Sequence, residues 1–458
     1  MRSHVCRLLQ KSALAAAIAG ISAPASASFF ALAEQSASGM GTAFAGGAAI
    51  AEDASTVWYN PAGMTRLDRA QLVIAGHYID PSFKATVNSA TAITGAPIGG
   101  GAGKNPGESA FVPNLYYTQP ITKEFSIGAA INVPFGLTTE YDSTWAGRYH
   151  AIKSDIKSIN YNLSGAYKFS DVVSAGVGVN YQTLKAELSQ GVDFATICTI
   201  SAGGAFSGAC GAGEGFNPGN NPNDGSGKVT ADGNTWGYTL GLLAQLPNDF
   251  RVGVAYRSKM KYSLTGNFDI TTPGNVPGAL LGAAGLVDSG AKTDITLPSS
   301  FSVSAYQQIG QWALMADVTR TNWSSLPELR IKFDSGQPDS VVTLNLIDTY
   351  RVSLGATYKP NDTWIFRGGV ALDQSPVVNA SDRSPRLPDA DRTWLAVGAG
   401  FQASRSLSFD FGYAYIKMDT AQVRKTATPT NENLARGNLS VDYSGTIQVL
   451  SAQARLMF

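Results

Sequence analysis

Charge is scarce in this chain. Asp, Glu, Lys and Arg make up 15% of its 458 residues, against about 25% in ordinary soluble domains. The two signs balance, 34 against 34, so no net field draws the protein to nucleic acid. Long hydrophobic runs are missing as well. The longest, Ala13 to Ile21 and Gly278 to Val287, reach about half of the roughly 18 residues that a membrane-crossing helix needs. A bundle of transmembrane helices is therefore excluded. Cys and His number only 3 each, too few for a Cys/His metal centre. No nucleotide fingerprint occurs, so no cofactor is expected. No Gly-x-Ser-x-Gly elbow is present, and His77 and His150 lie outside any Ser- or acid-rich constellation, so an enzyme is not expected. What is abundant is Gly (49), aromatics (10%) and hydrophobic residues (44%), which excludes a disordered chain.

The first residues read as a targeting segment. Arg2, Arg7 and Lys11 form a basic start, Ala13 to Ile21 an apolar stretch, and Ala25-Ser26-Ala27 a small-residue cleavage site. Residues 1–27 are thus a signal peptide, and the exported chain starts at Ser28. Export leaves Cys198 and Cys210 in an oxidising compartment. They either form a disulfide, worth about 3 kcal/mol by the chain-entropy relation, or remain free thiols.

The remainder alternates. From Lys157 to Ser170 one face carries Ile159, Tyr161, Leu163, Tyr167 and Phe169, and the other Ser158, Asn160, Asn162 and Ser164. The same period of two recurs from Val173, near Arg351, from Leu407 and from Leu450 to Phe458. A soluble sandwich also alternates, but it does not need aromatics at the ends of so many apolar faces. The connections decide. Short polar links such as Lys123-Glu124, Ser170-Asp171, Asn248-Asp249 and Arg405-Ser406 alternate with long irregular segments, Gly191 to Gly233, Thr271 to Ala291 and Ala421 to Asn438. That is the pattern of a transmembrane antiparallel β-barrel of the Gram-negative outer membrane. The predicted fold class is all-β, with about 14 strands starting near Gln71, Ala110, Phe125, Lys157, Val172, Asn234, Phe250, Lys292, Trp312, Tyr350, Thr363, Arg392, Leu407 and Leu439. Barrel residues are 70–458. Phe458 ends the last alternating strand and is the expected signal to the barrel assembly machinery.

Residues 28–69 do not alternate. They hold a Gly/Ala/Ser-rich stretch, then Ala51-Glu52-Asp53-Ala54, then Trp58-Tyr59-Asn60-Pro61-Ala62-Gly63. Phe29, Phe30, Phe44, Trp58 and Tyr59 make this too aromatic for a solvated tail. It is expected to fold into the lumen as a hatch, since a barrel of this size encloses one.

Several segments resemble the FadL family of outer-membrane long-chain fatty-acid transporters, which includes relatives that take up aromatic hydrocarbons. Phe30-Ala31-Leu32-Ala33-Glu34, Ser38-Gly39-Met40-Gly41, Ala51-Glu52-Asp53-Ala54 and Asn60-Pro61-Ala62 are similar to its hatch. Tyr78-Ile79-Asp80-Pro81, Tyr256-Arg257-Ser258, Leu297-Pro298 and Pro388-Asp389-Ala390-Asp391-Arg392 are similar to its barrel. The resemblance implies a 14-stranded barrel closed by the hatch, with Asn60, Pro61 and Ala62 in gating. It implies Phe30 and Leu32 against the ligand. It also implies lateral release into outer-membrane lipid through a kink in the third strand, at Gly136. Pro134 supports a defect there independently, because proline lacks a ladder donor; a plain strand end near the rim is the alternative. The family's head-group site uses two cations. Arg330 matches one, whereas Leu188 stands where the other, an arginine, is expected. The ligand is therefore a fatty acid or a neutral hydrocarbon. Capture is expected at the apolar loop from Val276 to Val287, through Leu280, Leu281 and Leu286, unless that loop is collapsed on its neighbour.

Overall fold

The computed structural model describes residues 29–200, 219, 224–274, 276, 281 and 285–458. The expected signal segment, Leu280 and Cys210 lie outside the described residues.

Alternation in the sequence becomes an inverted burial pattern. In the strand Lys153–Lys168, Ser158, Asn160 and Asn162 are buried, while Tyr161, Leu163 and Tyr167 are exposed, Leu163 by 72%. A water-soluble sheet does the opposite. Polar groups turned inward and apolar groups outward fit a wall whose outer solvent is hydrocarbon.

The strand segments join into fourteen staves. They are β1 (Gln71–Thr91), β2 (Ala110–Pro120), β3 (Phe125–Asn132 and Gly136–Glu140), β4 (Lys153–Lys168), β5 (Val173–Asp193) and β6 (Asp224–Leu246). β7 (Phe250–Arg257 and Met260–Thr271), β8 (Ser289–Leu297 and Ser300–Ile309), β9 (Trp312–Thr321 and Glu328–Phe333) and β10 (Ser340–Thr343 and Thr349–Tyr358) follow. The last are β11 (Trp364–Asp373), β12 (Arg392–Ser404), β13 (Leu407–Lys425) and β14 (Asn438–Met457). Neighbours pair antiparallel, and β1 closes on β14 from Gln71↔Met457 to Thr91↔Asn438. Closure removes the open edge that hydrocarbon would leave unsatisfied.

Strands run further into the long-connection side than the sequence suggests. β5 continues to Asp193, β6 begins at Asp224, and β13 reaches Lys425, all inside segments expected to be irregular. Ser226↔Thr271 and Asp232↔Thr265 still pair there. Above the bilayer both faces meet water, so the apolar contrast that marks a strand fades while the ladder persists.

Aromatic side chains ring the outer face at two heights. Tyr161, Tyr181 and Trp236 form the upper group, with ring centroids 6.3 and 5.0 Å apart. Trp312 and Tyr358, and Trp364 and Phe401, form the lower one beside the short turns. Amphipathic rings at both interfaces anchor a barrel in the membrane.

Residues 29–70 fill the lumen. Three single-turn helices, α1 (Ala37–Met40), α2 (Gly47–Ile50) and α3 (Thr56–Tyr59), lead into a 3-10 helix, Pro61–Arg66. The wall makes room for their backbone with glycine. Gly176 pairs with Gly241 across β5 and β6. A Cβ on Gly176 would lie 2.4 Å from the Ala62 nitrogen, and one on Gly369 2.2 Å from Thr42. Such close approach explains part of the high glycine content.

Two regions of the wall are broken. In β3 the ladder stops at 133–135. On the other side β7, β8, β9 and β10 are interrupted at 258–259, 298–299, 322–327 and 344–348. Their flanking pairs, Ser300↔Arg257, Leu297↔Met260 and Thr321↔Thr349, place the breaks at one height. They form a continuous seam.

Candidate ligand pathway

The hatch is pinned by directed hydrogen bonds. Asn60 is extended (φ −159°), and its Oδ1 accepts from the Ala62 N–H at 3.1 Å, capping the 3-10 helix. Its Nδ2 donates to Ala48 O at 2.7 Å and to Leu242 O at 2.9 Å. One side chain thus joins the turn, α2 and β6. Pro61 occupies the first helical position, where its missing N–H costs nothing. Asp53 accepts from Ser38 Oγ, from the Ser55 N–H and from Gln453 Nε2 of β14, at 2.8–2.9 Å. Guanidinium groups of the wall reach the hatch carbonyls. Arg351 donates to Ala43 O, Arg455 to Glu52 O and Arg257 to Trp58 O. Arg367 bridges Asp410 of β13 at 2.7 Å and Glu52 of the hatch at 3.3 Å.

The first described residues of the hatch meet the β3 break directly. Pro134 has no N–H, so the ladder cannot continue through it. Hatch residues take over its bonds: Leu32 N–H donates to Pro134 O at 2.9 Å, and Gly136 N–H donates to Phe30 O at 3.1 Å. The Phe135 N–H instead donates to Ser158 Oγ. The β3 ladder is thus interrupted at 133–135, between Phe125–Asn132 and Gly136–Glu140. Beside it, Phe29, Phe30, Phe135 and Trp323 pack with centroids 5.1–6.4 Å apart. Phe29 sits at φ 53°, a left-handed conformation uncommon for a bulky residue. Leu264, Ile295, Leu297 and Leu326 extend this apolar cluster across the lumen.

Two cavities flank this junction. One, of about 370 Å³, is lined inside by Phe30, Leu32, Leu137 and Ile156 and continues to Phe111 and Ile159. Those last two lie on the lipid face, 68% and 42% exposed. This cavity therefore passes through the wall at Gly136. The other, of about 160 Å³, lies against the seam and is lined by Arg257, Ser300, Thr321, Thr349, Arg351 and Asp373. Among the described residues, only Ala31 and Leu32 line both.

The expected site residues divide. Phe30, Leu32 and Gly136 meet at the first cavity, and Pro134 at the second. Asn60, Pro61 and Ala62 lie deeper, in the hatch. Leu281 and Leu286 are half-buried and, with Val276 of the same loop, pack on Phe194, Ala195 and Cys198. The described part of the expected capture loop is thus packed on the next loop, and Val287 stays exposed. Cys198 is disulfide-bonded, while its expected partner, Cys210, falls outside the described residues. Arg330 does not reach either cavity. It lies on the strand face opposite buried Ile331 and pairs at the rim with Glu328 at 2.6 Å and Asp339 at 3.1 Å. Leu188 packs with Val229, Phe268 and Ile331, so that position is apolar. Of the two histidines, His77 Nδ1 contacts Ser451 Oγ at 2.7 Å, and His150 Nε2 meets Gly437 O at 3.2 Å. Sequence reasoning missed Trp323 at the junction and the arginines that hold the hatch. The one available signal was cations on the polar face of strands in a charge-poor chain.

A closed barrel with an apolar exterior, two aromatic belts and a hydrogen-bonded internal plug is a plugged outer-membrane channel. The chain belongs to the family described as outer membrane protein transport protein (OMPP1/FadL/TodX), which matches residues 18–458. It is 35% identical over 421 residues to the long-chain fatty acid transport protein of Escherichia coli O6:H1, covering 89% of this chain and 91% of that one. It is 32% identical over 450 residues to outer membrane protein P1 of Haemophilus influenzae, covering 95% of each. Among solved structures, a Pseudomonas aeruginosa FadL homologue superposes with a TM-score of 0.84 at 25% identity, covering 94% of this chain and 99% of that one. The Ralstonia pickettii toluene transporter TbuX shares the fold, with a TM-score of 0.62 at 20% identity, covering 92% and 98%.

Proposed function

We propose that this protein carries long-chain fatty acids passively across the outer membrane and releases them sideways into lipid. The observation that carries this reading is the cavity that joins Phe30 and Leu32 to the lipid-facing Phe111 and Ile159. The driving force is partitioning, at about 0.8 kcal/mol for each buried CH₂. Ligand is taken up at the apolar loop surface around Leu281, Leu286 and Val287, enters the cluster held by Phe29 and Phe30, and leaves past Gly136. The hatch, locked through Asn60 and Pro61, blocks the straight path. The relatives named above as fatty acid transport proteins support this substrate class. The pathway uses no catalytic step and no cofactor. Phe458, 68% exposed beside the first strand, serves as the assembly signal.

Neutral hydrocarbons are the second reading. It is favoured by Leu188, which joins an apolar group where the resemblance expects an arginine. Uptake of a labelled long-chain fatty acid and of a labelled alkane, by cells with and without the protein, tests both. Uptake of neither above the protein-free cells would refute transport of hydrophobic solutes.

A further inference from the structure

An acidic ligand needs a cation somewhere along its path, because an unpaired carboxylate in an apolar lumen bears a large desolvation penalty. Arg330 is engaged at the rim by two carboxylates. Four cationic side chains line the two cavities beside the N-terminal segment: Lys157, Arg257, Arg351 and Arg392. Three of them have carboxylate partners. Lys157 meets Asp155 at 2.7 Å, Arg351 meets Asp373 at 3.9 Å, and Arg392 meets Asp389 at 2.5 Å.

Arg257 is different. Its guanidinium donates to the Trp58 carbonyl at 2.6 Å and stacks over the Trp58 ring, 3.2 Å from the centroid. Its Nε, like those of Arg351 and Arg392, is buried without a hydrogen-bond partner among the described residues. A carbonyl and a ring offset part of the charge but neutralise none of it. The seam shapes its surroundings. Where β7 to β10 stop pairing, Ser300, Thr321 and Thr349 line the cavity together with two carboxylates: Asp373, which pairs with Arg351, and Asp317, which accepts from the Ser304 and Thr319 hydroxyls. At about 160 Å³, and with about 30 Å³ for each water in the liquid, it holds a carboxylate and a few methylenes, not a long chain.

We propose that the cavity at the seam is a head-group subsite in which Arg257 pairs with the carboxylate of an acidic lipid-like ligand. The alkyl chain lies in the larger apolar cavity on the other side of Ala31 and Leu32. Displacement of those two residues merges the cavities into one amphipathic cleft, polar at Arg257 and apolar toward the wall opening. This inference rests on the transport reading and adds the residue that meets the ligand's carboxylate.

The test is equilibrium binding to purified protein in a neutral detergent, comparing a long-chain fatty acid with its methyl ester. Wild-type protein should bind the acid more tightly. Arg257→Gln should weaken acid binding by about 10- to 100-fold, the worth of a charge-assisted hydrogen bond, and leave the ester unchanged. Arg257→Lys should keep most of the preference. Equal loss of acid and ester in Arg257→Gln would mean that Arg257 only supports the hatch, and would overturn the proposal. So would a Lys variant as poor as the Gln variant. Wild-type protein that binds the ester as tightly as the acid refutes the subsite without any variant, while leaving the transport reading in place. Wild-type protein that binds neither ligand overturns both.

Discussion

The break in β3 and the seam across β7 to β10 are the same kind of backbone event with opposite outcomes. Each interrupts the ladder at mid-wall, and each borders a cavity touched by Ala31 and Leu32. At β3 the missing donor is Pro134, and the hatch supplies the replacement bonds. The side chains around it are Leu32, Leu137 and Ile156, and the cavity runs out to Phe111. At the seam the strands are stitched across the gap. Asn322 N–H donates to Ser299 O at 2.9 Å, and Asn322 Nδ2 donates to Ser299 Oγ at 2.8 Å. The difference teaches that an interrupted ladder does not by itself make an opening. At β3 the broken bonds are taken up by the hatch, the lining is apolar, and the cavity reaches the lipid-facing residues. At the seam, Asn322 and Ser299 bridge the gap from within the wall.

The strongest way to break the comparison is to close the β3 opening. A Cβ on Gly136 would lie 3.1 Å from Leu32 Cδ1, so Gly136→Ile fills the passage with a residue that suits a strand. Fatty-acid uptake by cells should fall to near the level of protein-free cells, with normal amounts of folded barrel in the outer membrane. Unchanged uptake would show that ligand leaves elsewhere.

The next largest effect is expected at the hatch, which serves both regions. Asn60→Ala with Pro61→Ala removes the cap and leaves Ala48 O and Leu242 O without their donor. Loss of the cap alone costs about 0.5–2 kcal/mol. Amide hydrogen exchange should rise across residues 56–66 and stay low in β13 and β14. Uptake should fall as well, because the hatch no longer presents Phe30 and Leu32 at the opening. Exchange unchanged in the hatch would mean that the wall glycines and arginines hold it without Asn60.

Much of the barrel was legible from residue order, for a physical reason. Lipid outside and polar groups inside impose a strict period of two, as at Tyr161, Leu163 and Tyr167, and the alternation of short and long links orients each strand. Strand ends above the bilayer were not legible, because water on both faces erases the contrast at Lys228 and Asp232. The hatch was readable as a unit through Asn60-Pro61-Ala62. Its anchorage was not. Arg367 reaches Glu52 and Asp410 across more than forty positions of chain in each case, and no local pattern encodes that closure. The seam was hidden too. Pro298 and Pro327 signal a break in β8 and β9, but their equal height appears only once register is known.

A smaller effect is expected from loosening the seam. Asn322→Ala removes the bond to Ser299 Oγ and should cost about 1 kcal/mol. If the seam is kept shut by such bonds, exchange should rise at residues 299 and 321–326 while β3 is unaffected. Fatty-acid uptake should be nearly normal, since the passage at Gly136 is intact. A large uptake defect would mean that the seam, not β3, is the working opening.

The smallest effect is expected at Arg330, and it sharpens the contrast between rim and lumen. Arg330 is 41% exposed and shared between Glu328 and Asp339. The guanidinium is held above its usual pKa by those two hydrogen-bonded carboxylates, so it is charged at every working pH but already neutralised locally. An exposed pair of this kind adds little to stability and is screened by salt. It also stands on the face opposite Ile331, away from both cavities. Arg330→Ala should therefore change fatty-acid binding by less than about threefold, with the same small change for the methyl ester. A selective loss of the acid alone would move the head-group contact from the lumen to the rim, and would make Arg330 rather than Arg257 the cation that acidic ligands meet.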